Sequence, residues 1–166
     1  MINSNASKMN FMKTAIALSV SALILTACGK GGDKAAAVPT DGIEVKIGHV
    51  APLTGPIAHL GKDNENGARL ALEEINKAGL TIDGKKVVLT LVPEDDAEDP
   101  KTATQVAQKL VDAKVVGIVG HLNSGTSIPA SKIYSDAGIT QISPSSTNPD
   151  YTKQGFKTTY RLVATD

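Results

Sequence analysis

Two short stretches concentrate hydroxyl side chains: His121-Leu122-Asn123-Ser124-Gly125-Thr126-Ser127 and Pro144-Ser145-Ser146-Thr147-Asn148-Pro149. Each leads toward a predicted helix start, where orphan N–H groups and about half a positive charge favour an anion. Ser and Thr add neutral donors there, a combination suited to a small carboxylate. Their hydroxyls and the nearby backbone carbonyls can also accept from an ammonium group. The same residue types cap helices and close turns, and the residues alone favour neither use. A third stretch, Glu94-Asp95-Asp96-Ala97-Glu98-Asp99, is acidic. Paired carboxylates after a strand fit a magnesium pocket, but a solvated acidic turn with Asp99 as a helix cap is the simpler reading. The three histidines, His49, His59 and His121, have no close spacing, and the single Cys excludes an internal disulfide and a multi-Cys zinc site. Neither a G-x-S-x-G elbow nor a phosphate-binding G-x-x-x-x-G-K-[ST] loop is present. Proximity of His121 to Ser124 does not make a nucleophilic triad; a lone loop histidine reads as a local hydrogen-bond partner. The residues predict a binding protein without a cofactor or metal, and not an enzyme.

The elements that must position these loops alternate in type. Val45–Val50, Lys86–Val92, Val115–Gly120, Ile139–Ser143 and Thr159–Val163 read as strands, the third almost wholly apolar, as in a parallel strand covered on both faces. Between them run helical stripes: Ala68, Ala71, Leu72, Ile75 and Ala78, stopped by Gly79; Ala103, Val106, Ala107, Leu110 and Val111; then Ala130, Ile133, Tyr134 and Ala137, stopped by Gly138. Asp99 with Pro100 predicts an N-cap and first helical residue. The pattern predicts an α/β, Rossmann-like layered parallel sheet with right-handed crossovers and helices on both faces. Ligands of such sheets bind beyond the carboxyl ends of the strands. Four loops occupy that edge: Ala51–Gly61, Glu94–Asp99, His121–Ser127 and Pro144–Pro149.

Seventeen basic residues balance seventeen acidic ones, and the chain has no Trp, three Tyr and two Phe, which argues against a nucleic-acid partner. With 41% hydrophobic and 20% charged residues the composition is that of a globular chain, and 166 residues allow one domain. Residues 1–27 stand apart. Lys8 and Lys13 precede the uncharged apolar run Ala15–Leu25, whose length suits a signal peptide and falls short of the roughly 20 residues of a membrane-spanning helix. Leu25-Thr26-Ala27-Cys28 resembles the lipobox of bacterial lipoproteins, which implies cleavage before Cys28 and acylation of its thiol. Residues 28–42, rich in Gly and Ala, read as a flexible tether, and 43–166 as the folded part.

The separated motifs IGHVAPLTGPIAHLGKDNENGARLALEEIN, EDDAEDPKTATQVAQKLV and VVGIVGHLNSGTSIPASKIYSDAGITQISPSSTNP resemble, in order and spacing, the leucine/isoleucine/valine-binding family of periplasmic solute-binding proteins of ABC importers, from about Val45 onward. The resemblance implies the type I periplasmic-binding fold, a small amino acid as ligand and a membrane permease as partner. It further implies that Ser124 gives hydroxyl and N–H to the ligand carboxylate and that the Ser145 carbonyl accepts from the ammonium. Thr147 would meet the ligand with hydroxyl and N–H, with Ser146 beside it, and Leu60 would lie near the ligand side chain. Some members join two of these loops by a Cys pair, where this chain has Glu98 and Asn123. The family has two lobes closing on a hinge, and residues 43–166 correspond to the first, incomplete, with the second lobe absent. A truncated, non-transporting lipoprotein and an amide or amino-acid sensor lobe remain alternative readings.

Overall fold

The computed structural model describes residues 42–166. The expected signal segment 1–27, Cys28 and the tether up to Asp41 lie outside the described residues. Strand β1 (Ile43–Ala51) is followed by α1 (Ala58–Ala78), β2 (Thr81–Ile82), β3 (Lys85–Asp95), α2 (Pro100–Asp112), β4 (Gly117–Gly120), α3 (Ser124–Asp136), β5 (Thr140–Ser143), α4 (Asp150–Lys153) and β6 (Thr159–Arg161). The sheet order is β2-β3-β1-β4-β5-β6, and all neighbours from β3 to β6 pair in parallel. The expected α/β layered sheet is therefore present, with one change: β2 pairs antiparallel with β3 at the edge, so the sheet is mixed. Asp83-Gly84, expected only as a turn, closes this short hairpin with both residues at positive φ.

From β1 the chain moves one way to β3 and the opposite way to β4. Right-handed crossovers then place α1 on one face of the sheet and α2 with α3 on the other. Val50, Val106, Ala107, Leu110, Ile118, Ala130 and Tyr134 make the core under α2 and α3. On α1 only Gly61, Glu65, Ala68 and Leu72 are buried. Asp99 caps α2 as expected, accepting the Thr102 N–H at 2.7 Å, with Pro100 inside the first turn.

Helix starts depart from the sequence reading. Helix α1 begins at Ala58, so His59, Leu60 and Gly61 lie in its first turn and not in a loop. A Cβ at Gly61 would fall 1.9 Å from the Pro52 carbonyl oxygen, so the absence of a side chain lets the helix lie against the end of β1. Helix α3 begins at Ser124 and carries Pro129 inside it. Strand registers set the loops level: Ala51 faces Asp95, Val50 faces Gly120, and Val119 faces Ile142. All four loops consequently leave from one edge.

Candidate functional site

The acidic stretch proves to be structural. Strand β3 runs on to Asp95, whose carboxylate accepts the Leu53 N–H at 2.8 Å, the Thr54 hydroxyl at 2.6 Å and the Ala97 N–H at 2.8 Å, tying the loop after β1 to the loop after β3. Burial pushes the Asp95 carboxyl up, but these donors outweigh it and hold it below the usual value. Asp96 is not solvated, as the sequence reading had it: it is fully buried, 2.8 Å from Nδ1 of the equally buried His121. A carboxylate only accepts, so Nδ1 carries the proton, and Nε2 accepts the Tyr134 hydroxyl at 3.2 Å. Burial lowers the His121 pKa and outweighs the carboxylate beside it, so the ring stays neutral. Among the described residues no group of three or more His, Cys, Asp or Glu is placed to hold a metal ion.

His121 also organises the two hydroxyl-rich loops through its backbone. Its carbonyl accepts the Ser143 hydroxyl at 2.7 Å and the Ser127 hydroxyl at 3.1 Å, while Ser146 Oγ lies 2.7 Å from both serine oxygens. Ser127, Ser143 and Ser146 are all fully buried. The Ser146 side chain, expected at the ligand, is thus enclosed among these buried groups, and its N–H donates to Ser143 Oγ at 3.0 Å. That last bond fixes a direction. In a trans peptide the C=O and the following N–H point opposite ways, so the Ser145 carbonyl points away from the buried serines. The Ser145 hydroxyl donates to the Leu122 carbonyl at 2.6 Å, so it is occupied within the protein.

Ser124 opens α3 behind the N-cap Asn123, and its Oγ accepts the Asn148 N–H at 3.2 Å, so loops three and four meet here. The Thr147 hydroxyl donates to the Asp166 carboxylate at 2.9 Å. Leu60 is 46% exposed. It lines, with Ser145, an apolar groove of about 640 Å³ whose lining includes α1 residues from Leu60 to Leu72 together with Val119 and Leu122. Ser124 meets Asn148, the residue after Thr147, and Leu60 and Ser145 line the same groove. Glu98 and Asn123, the positions of the Cys pair in some family members, are neighbours here too, with the Asn123 amide donating to Glu98 at 3.4 Å.

Sequence reasoning passed over Arg161. Its guanidinium donates to the carbonyls of Ser146 (3.3 Å), Thr147 (2.9 Å), Asn148 (2.9 Å) and Pro149 (3.4 Å), and to the Thr152 hydroxyl.

A family model described as periplasmic binding protein matches residues 44–166. The Leu/Ile/Val-binding protein homolog 1 of Brucella abortus (strain 2308) is 43% identical over 123 residues, covering 74% of this chain and 32% of the relative. The leucine-, isoleucine-, valine-, threonine-, and alanine-binding protein of Pseudomonas aeruginosa is 43% identical over 122 residues, again 74% of this chain and 32% of the relative. Among solved structures, the branched-chain amino acid transporter substrate binding protein LivJ from Streptococcus pneumoniae, in complex with isoleucine, aligns with a TM-score of 0.67 and 34% identity, over 74% of this chain and 34% of that one. The chain thus spans about a third of the length of the curated relatives it matches.

Proposed function

The chain belongs to the periplasmic binding protein family, and from that membership we propose that it is the first lobe of an extracytoplasmic solute-binding component of an ABC importer. Its ligand is a branched-chain or other small amino acid, delivered to a membrane permease without any bond being made or broken. Cys28 carries the lipid that anchors the protein to its membrane. The observation that carries the ligand reading is the junction of loops three and four, where Ser124 Oγ meets the Asn148 amide at 3.2 Å beside the first turn of α3. First-turn amides have no intrahelical acceptor, and with neutral hydroxyls they hold a carboxylate without placing a cation in the site. Ser124 and the Thr147 hydroxyl and amide serve the charged groups of the ligand, the outward Ser145 carbonyl accepts from its ammonium, and Leu60 borders its side chain. Ser146 acts from below, through the buried serines. The relatives named for leucine, isoleucine and valine, and the neighbour solved with isoleucine, support this ligand class.

Ser124→Ala and Thr147→Ala test the assignment. Each removes a partner of a charged ligand group and weakens amino-acid affinity by about 1–3 kcal/mol in calorimetric titration. Affinity unchanged in both variants overturns it.

A further inference from the structure

A half-buried arginine on β6 donates to four consecutive carbonyls of the loop that faces the ligand. That is an unusual use of a guanidinium, whose planar fork of five donors more often meets a carboxylate. The clamp has a directional consequence. Arg161 binds the carbonyls of Ser146 and Thr147. The peptide bonds on either side of Thr147 are trans, so the N–H groups of Thr147 and Asn148 must point away from Arg161. For Asn148 the opposite side is known: its N–H donates to Ser124 Oγ on loop three, at 3.2 Å. The Thr147 N–H, one peptide earlier in the same clamped run, is turned away from the guanidinium in the same manner. The opposing fixture is Ser143, which draws the Ser146 N–H inward at 3.0 Å and turns the Ser145 carbonyl outward. Loop four is thus held from two sides: a buried hydroxyl sets the Ser145–Ser146 peptide plane, and the cation sets the consecutive planes whose carbonyls belong to Ser146 through Pro149.

We propose that Arg161 is a positioning residue of the ligand site, which turns the Thr147 and Asn148 amides toward loop three by binding the carbonyls of Ser146 to Pro149. It also places a positive charge behind those carbonyls, so the amides it polarises are better donors to an anion. The inference rests on the reading that loop four receives the charged groups of an amino acid.

The test uses Arg161→Met and Arg161→Lys in the full-length protein, with amide NMR in the absence of ligand and calorimetry with L-leucine as the probe. In Arg161→Met the Thr147 and Asn148 amide resonances move while those of α2 stay in place, and L-leucine binds about tenfold or more weakly. Lys keeps the charge but not the fork, so Arg161→Lys recovers part of both changes, which a purely space-filling role would not give. Wild-type positions for both amides in both variants overturn the inference, as does full L-leucine affinity when the amides have moved. If wild type binds no L-leucine and the amides still move, the ligand reading fails and the clamp of loop four stands. If Arg161→Met does not fold, Arg161→Lys decides by the same two resonances.

Discussion

Replacing Asp96 by Asn exposes how much the buried Asp96–His121–Tyr134 chain contributes, because the change is isosteric and leaves no cavity. In the wild type three donors are satisfied: His121 Nδ1–H on one carboxylate oxygen at 2.8 Å, the Glu98 N–H on the other at 3.1 Å, and the Tyr134 hydroxyl on His121 Nε2 at 3.2 Å. An Asn side chain has one acceptor. With its oxygen toward His121, its NH₂ opposes the Glu98 N–H. With its oxygen toward Glu98, the imidazole must move its proton to Nε2, and the Tyr134 hydroxyl loses its acceptor at a site with no solvent exposure. Either arrangement leaves one donor unmet, at about 1–3 kcal/mol. Removing a buried negative charge acts the other way, but the carboxylate is compensated by two donors, so the unmet donor decides the sign. With a urea slope of about 1–3 kcal/mol/M, the unfolding midpoint falls by on the order of 1 M. Urea titration at pH 7 followed by circular dichroism reads this, the chain having no Trp. Imidazole ¹⁵N shifts read the proton position, on Nδ1 in the wild type. A midpoint for Asp96→Asn equal to or above that of wild type refutes the reasoning.

Other perturbations have equally definite directions. Gly61→Ala destabilises by about 1–3 kcal/mol, since the new Cβ meets the Pro52 carbonyl and α1 must shift; a rise in melting temperature, as Ala gives at a free helix position, contradicts the contact. Burial lowers the pKa of His49 and His121 from 6.5 in the folded state. The unfolded chain then binds more protons as pH falls, so stability is fully present above about 6.5 and declines below it. A second decline follows through about pH 4 as Asp95 and Glu65, both held below their usual values, take up protons. Urea midpoints that stay flat from pH 7.5 to pH 3 contradict both steps. Cys28→Ser releases the protein from membranes, read by fractionation; a variant that remains membrane-bound contradicts the lipid anchor.

What the sequence disclosed was whatever has a short period or a local signature. The alternating strands and stripes led to the parallel sheet, and Asp99-Pro100 marked the start of α2 because capping is a matter of adjacent residues. Helix α1 started earlier than expected because Leu60 is exposed and Gly61 has no side chain, so its first turn carries no apolar stripe. The start of α3 was obscured by Pro129 and by a first turn of small polar residues. Four residues of α4 and two of β2 are too few to show a period. In the site, the hydroxyl-rich loops were legible by composition, but the division of labour within them was not. Nothing in Ser145-Ser146-Thr147 says which hydroxyl is buried; that follows from Ser143 and His121 on neighbouring strand ends. Asp96 and His121 are twenty-five residues apart, and Arg161 is twelve to fifteen from the carbonyls it binds, separations at which sequence carries no geometric signal.

The proposed role is to take part in holding a small amino acid by neutral donors at the ends of β4 and β5. Isothermal titration of the protein in its native full length with L-leucine, L-isoleucine and L-valine tests it most directly. Saturable, one-to-one heat is expected with at least one of the three, weakened in Ser124→Ala and in Thr147→Ala. No saturable heat with any of them, from protein that is folded by circular dichroism, contradicts it.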